Sequence, residues 1–63
     1  MRIALDAMGG DLAPVEPVKG AVLAAKEFGL EVALVGPPDL IEPELARQNA
    51  PSRVSVVAAG ASI

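Results

Sequence analysis

Asp6, Gly9, Gly10 and Asp11, in the run Leu5-Asp6-Ala7-Met8-Gly9-Gly10-Asp11, have the types and the spacing for anion chemistry. Glycines let a backbone turn sharply and approach a ligand closely, so that amide N–H groups face it. That is a physical recipe for a phosphate or other oxyanion site. The pattern is neither the three-glycine dinucleotide fingerprint nor the Walker loop. The bland alternative is a tight strand-to-helix turn with no ligand, and on local sequence alone the bare turn outweighs the site. The two carboxylates would repel an anion and each other. One can be taken up by loop N–H groups, one can stay protonated or act as a base on an attacking oxygen, or a cation can sit between them. Asp11, which precedes a helix, suits the holding role. Asp6, at a strand end, suits direct contact with substrate. Lys19 has the reach to add positive charge to an anion site. As a solvated lysine paired with Glu16 it would be ordinary, and that reading is slightly favoured. Arg47 and Arg53 read as surface charges.

These residues need elements to carry them. Arg2 to Asp6 reads as a strand, with Ile3 and Leu5 between smaller or polar neighbours and Gly9-Gly10 beyond. Ala4 softens the alternation, as in a parallel sheet covered on both faces. Pro14 to Phe28 has helical period, with Val18, Val22, Ala25 and Phe28 on one face. Pro14 and Pro17 are tolerable only in its first turn, and Gly29 suits a left-handed C-terminal cap. Gly20 costs roughly 1 kcal/mol against Ala in mid-helix, which points to close packing there. Leu30 to Val35 reads as a second strand, ended by Gly36-Pro37-Pro38. Asp39 to Gln48 reads as a second helix, started either by Asp39 as cap or, one turn later, by Pro43. Asn49 to Ser52 is a loop and Arg53 to Ala58 a third strand. The order is strand–helix–strand–helix–strand, for which right-handed crossovers give a Rossmann-like parallel sheet. In such sheets ligands bind at the carboxyl ends of the strands, where Asp6 to Asp11 would lie.

Sixty-three residues bound the chain to one small domain, which would bury only about 60% of its unfolded surface. Apolar residues make up 52%, but much of that is Ala, and Phe28 is the only aromatic. With no Cys and no His, disulfides and the usual zinc sites are excluded. So thin a core reads as part of a larger domain, and truncation after Ile63 is the expectation. The net charge of −3, the absence of a basic cluster and the absence of Tyr and Trp argue against nucleic acid. The apolar stretches are too short to span a bilayer, and Asp6 comes too early for a signal-peptide core. A cytoplasmic location is expected.

The run Arg2-Ile3-Ala4-Leu5-Asp6-Ala7-Met8-Gly9-Gly10-Asp11, followed by Ala13-Pro14, resembles the opening of the phosphate acyltransferases of bacterial phospholipid synthesis, the PlsX family. The match continues through Val18-Lys19-Gly20-Ala21, Ala24-Ala25-Lys26-Glu27, Leu34-Val35-Gly36 and Ile41-Glu42-Pro43-Glu44-Leu45. The resemblance implies transfer of a fatty acyl group from acyl carrier protein to inorganic phosphate, giving an acyl phosphate that feeds glycerol-3-phosphate acylation. It implies a homodimer, cytoplasmic and able to associate peripherally with membranes. It also implies that residues 1–63 are the N-terminal part of a larger α/β domain, similar to phosphotransacetylases and to isocitrate and isopropylmalate dehydrogenases. Catalysis then falls to Asp6 and Asp11 and phosphate binding to Gly9, Gly10 and Lys19, with no metal and no cofactor. The chain departs from the family after its third strand: Ala58-Ala59-Gly60-Ala61 stands where the family reads His-Ala-Ser-Glu. A non-catalytic fragment or a module that dimerises or docks onto a partner is the rival expectation, and a nucleotide-binding Rossmann fragment is a third.

Overall fold

The computed structural model describes residues 2–58, in the order β1 (Arg2–Asp6), α1 (Val15–Phe28), β2 (Glu31–Val35), α2 (Pro38–Arg47) and β3 (Val54–Val57). Of the departure at residues 58–61, all but Ala58 lies outside the described residues. All strand pairs are parallel and the sheet order is β1-β2-β3, so β2 is central. This is an α/β fold with a Rossmann-like βαβαβ unit. The expected elements are all present, with no end displaced by more than one residue.

Register explains the core. Ile3 pairs with Val32, which pairs with Val54; Leu5 pairs with Leu34, which pairs with Val56. Residues in register on parallel strands share a face, so these rows of branched aliphatic side chains point one way. Val18, Ala21, Val22 and Ala25 of α1 and Ile41 of α2 complete one cluster with Val32, Leu34 and Val54. Both helices therefore cover the same face of the sheet. Leu34, Ile41, Val18 and Val32 are the largest fully buried side chains.

Four sequence expectations are corrected. Phe28 is 73% exposed and stands outside the core, because the buried stripe of α1 runs Val18–Ala21–Val22–Ala25 and leaves the last residue of the helix to one side. Gly20 faces open space: a Cβ built on it meets nothing within 4 Å, so no close packing among the described residues accounts for it. β1 is not covered on both faces; four of its five residues are exposed, since both helices lie on one face of the sheet and α1 packs mainly over β2. Neither start foreseen for α2 is used. The helix begins at Pro38, with extended Pro37 (φ −67°, ψ 117°) as its cap and no side-chain cap bond. Pro38 sits where a helix needs no N–H, and Leu40 and Ile41 donate to the Pro37 carbonyl, both at 3.1 Å. Asp39 then falls in the first turn and Pro43 inside the helix, where it removes one backbone donor. Burial of Ile41 and packing of Leu45 against the core hold that turn.

Left-handed residues end both helices. Gly29 (φ 67°) donates its N–H to the Ala25 carbonyl at 3.1 Å, as its position after α1 foretells. Asn49 (φ 56°) plays the same part after α2, a conformation that asparagine tolerates better than most residues. No helix of the described residues is long and apolar enough to cross a membrane.

Candidate functional site

The carboxyl ends of the three strands are stitched by two backbone bonds beyond the strands themselves. Ala7 N–H donates to the Val35 carbonyl and Gly36 N–H to the Val57 carbonyl, each at 3.0 Å. Ala7 is thereby fully buried, and the chain must turn at Met8. Asp6 makes the turn. Its Oδ1 accepts the Met8 N–H at 3.0 Å, and its main-chain carbonyl accepts the Gly9 N–H at 3.3 Å. An aspartate binding the amide two residues on is a self-contained turn device, which explains why this acid sits at a strand end.

Gly9 lies against that turn. A Cβ built on it would stand 3.6 Å from the Asp6 carbonyl oxygen and 3.8 Å from Oδ2, ordinary contacts. Gly10 is different: its φ of +93° is a conformation that L side chains rarely adopt, with open space around it. Among the described residues the amides of Gly10 and Asp11 have no hydrogen-bond acceptor. The amides of Leu12 and Ala13, further along the loop, likewise have no acceptor there.

The structure thus joins Asp6, Gly9 and Gly10 in one turn, with Asp11 next to them and exposed. The hydrogen bond from Met8 gives Asp6 the holding role that the sequence suggested for Asp11. Asp11 does not cap α1: the cap is Pro14 and makes no side-chain bond. Lys19 lies on an exposed part of α1 and, among the described residues, pairs neither with Glu16 nor with the turn. No cluster of three acidic, His or Cys side chains forms among the described residues, and no closed pocket is present there. The turn is an open surface.

Two features were not legible as parts of this site. Gly36, read only as a strand terminator, sits directly under the turn. A Cβ there would lie 2.9 Å from Ile41 Cδ1, 3.4 Å from Met8 Cγ and 3.7 Å from Ala7 Cβ. A side chain at Gly36 would have to displace the end of Ile41, so glycine suits the chain as it leaves β2 between α2 and the first turn of the loop. The Gly-Pro-Pro sequence was the one signal, and it spoke of termination rather than of close approach.

The second feature is a buried acid. Glu44, 7% exposed, is held by Arg47, whose Nη2 donates to both carboxylate oxygens at 2.6 Å and whose Nε donates to Oε1 at 3.2 Å. Gln48 adds an Nε2 donor to Oε2. These bonds from Arg47 and then Gln48 keep the carboxyl below its ordinary range, against the opposing effect of burial.

Comparison with known proteins agrees across the length of the chain. The family described as fatty acid synthesis protein matches residues 1–63. A phosphate acyltransferase of Heliobacterium modesticaldum is 62% identical over 61 residues, covering 94% of this chain and 18% of that protein. Those of Pelotomaculum thermopropionicum and Gloeobacter violaceus are 53% and 51% identical over 57 residues, covering 90% of this chain and 17% of theirs. The chain spans less than a fifth of the length of these curated relatives.

Proposed function

This chain belongs to the fatty acid synthesis protein family, and from that premise we propose that it forms the N-terminal part of an acyltransferase that moves a fatty acyl group from acyl carrier protein to inorganic phosphate. The observation that carries this reading is the turn itself. Identity to named phosphate acyltransferases of 51–62% falls on a chain whose strand end presents free amides at Gly10 and Asp11. Those amides, with the start of α1 behind them, suit one face of a phosphate.

In the reaction a phosphate oxygen attacks the thioester carbonyl carbon. The new C–O bond forms, the C–S bond breaks, and the carrier's thiolate leaves and takes up a proton. The enzyme must hold the anion, orient it and stabilise the developing oxyanion. Gly9 and Gly10 provide the approach, Asp6 keeps the turn in shape, and Asp11 is the acid free to meet a reacting proton. Lys19 supplies nearby positive charge once the rest of the enzyme closes over α1. The oxyanion donors and the surface for an acidic carrier protein belong to the remainder of the protein, because this segment carries a net charge of −3. The unit then stands as one part of a larger dehydrogenase-like α/β domain in a cytoplasmic homodimer that touches membranes peripherally. Its acyl phosphate product feeds a glycerol-3-phosphate acyltransferase.

The test is Gly10→Val in the full-length protein, assayed for thioester cleavage against phosphate concentration. A β-branched residue at φ +93° forces the turn to rearrange. The phosphate KM should rise by at least about tenfold. Unchanged phosphate saturation would remove the turn from the site.

One observation favours the rival reading, a non-catalytic module that docks through its sheet: the outer edge of β1 is unpaired among the described residues, beside half-exposed Leu5. An intact native mass near 6.3 kDa with no acyl transfer would favour it over the enzyme.

A further inference from the structure

Glu44 is the one buried charged side chain among the described residues, and a surface-facing acid would have served α2 equally well. Its placement has a geometric consequence. A carboxylate only accepts hydrogen bonds, so the amide of Gln48 must turn its nitrogen, not its oxygen, toward Glu44. That nitrogen carries two N–H groups. One donates to Glu44 Oε2, and the other donates across to the main-chain carbonyl of Val15 at 3.2 Å. Arg47 holds the same carboxylate through both of its oxygens. The series Arg47–Glu44–Gln48 thus ends on the first residue of α1, thirty-three positions away in sequence.

That end of α1 has no other side-chain fastening. Its cap is Pro14, without a cap bond, and a proline again follows at position 17. The loop from Gly9 to Pro14 therefore hangs between two anchors: Asp6 at its entrance and Gln48 at its exit. We propose that Gln48, oriented by Glu44 and Arg47, is a positioning residue for phosphate, setting where the first turn of α1 stands relative to the Gly10 and Asp11 amides. This rests on the proposed function of the turn.

A purely structural bond of the same kind exists at the other end of α1, where Arg53 Nη1 donates to the Gly29 carbonyl at 3.1 Å. The experiment compares the two in the full-length protein, measuring phosphate KM, kcat and melting temperature for Gln48→Ala, Gln48→Met and Arg53→Ala. Gln48→Met keeps the volume and removes both donors, so it reports even where the alanine variant folds poorly. Both Gln48 variants should raise the phosphate KM by about threefold to tenfold with kcat within about twofold. Arg53→Ala should lower the melting temperature and leave phosphate KM unchanged. An unchanged KM in Gln48→Met, or an equal rise in Arg53→Ala, overturns the inference. If Gly10→Val raises phosphate KM while Gln48→Met does not, positioning by Gln48 fails and the turn assignment survives. Absence of phosphate saturation in the unaltered protein overturns both.

Discussion

The two ends of α1 are built on different principles. At the C-terminal end, one residue closes the helix: Gly29 adopts the left-handed conformation, returns its N–H to Ala25, and lends its carbonyl to Arg53. Those two bonds close the backbone of this end, with Phe28 exposed beside them. The N-terminal end begins on a proline without a side-chain cap, follows an exposed loop, and is fixed from a distance by Gln48. Among the described residues the donors left over include the loop amides from Gly10 to Ala13. A helix end that satisfies itself is a structural joint; one left open and held from outside is fit to meet a ligand.

Substitutions along this axis should separate the two. The largest effect is expected from Gly36→Ala, under the open end. Its new methyl would stand 2.9 Å from Ile41 Cδ1 and 3.4 Å from Met8 Cγ. Overpacking of this kind should cost about 2–3 kcal/mol in urea unfolding of the full-length protein. Because Ile41 must yield beneath the turn and the methyl abuts Met8, phosphate KM should rise as well. Stability lost with phosphate KM unmoved would break the link between Gly36 and the turn. Gly29→Ala comes next: at φ +67° it should cost about 1–2 kcal/mol. At this closed end phosphate KM should stay constant, and a matching KM shift would erase the contrast. The smallest effect, and of opposite sign, belongs to Gly20→Ala midway along the helix. With open space around the added methyl, it should stabilise by about 0.5–1 kcal/mol. A loss instead would reveal a contact on that face made by the remainder of the protein.

Much of this was legible in the chain. Ile3, Leu5, Val32, Leu34, Val54 and Val56 declare strands by composition and alternation, and Gly29 declares the end of α1 by its place after the last helical residue. The turn at Asp6–Asp11 could be named as a candidate because glycine and aspartate at a strand end suit an anion site as well as a bare turn, and the resemblance of the run tipped the balance. Phe28 misled, since a helical stripe has finite width and an aromatic at the last position can swing outside it. Asp39 and Pro43 misled because capping patterns are local, whereas Ile41 and Leu45 decided from the core which turn of α2 would form.

By itself the sequence determined the element order, the parallel crossovers, the family, and the residues that could form an anion turn. All of these follow from nearest-neighbour chemistry, periodicity or motif. The Asp6–Met8 bond is local, but tertiary structure alone decided that Gly36 stands under Met8 and that Gln48 reaches Val15. Each of those depends on the distance between groups far apart in the chain. Such distances are set by packing two helices on one face of a sheet, and no local pattern encodes them.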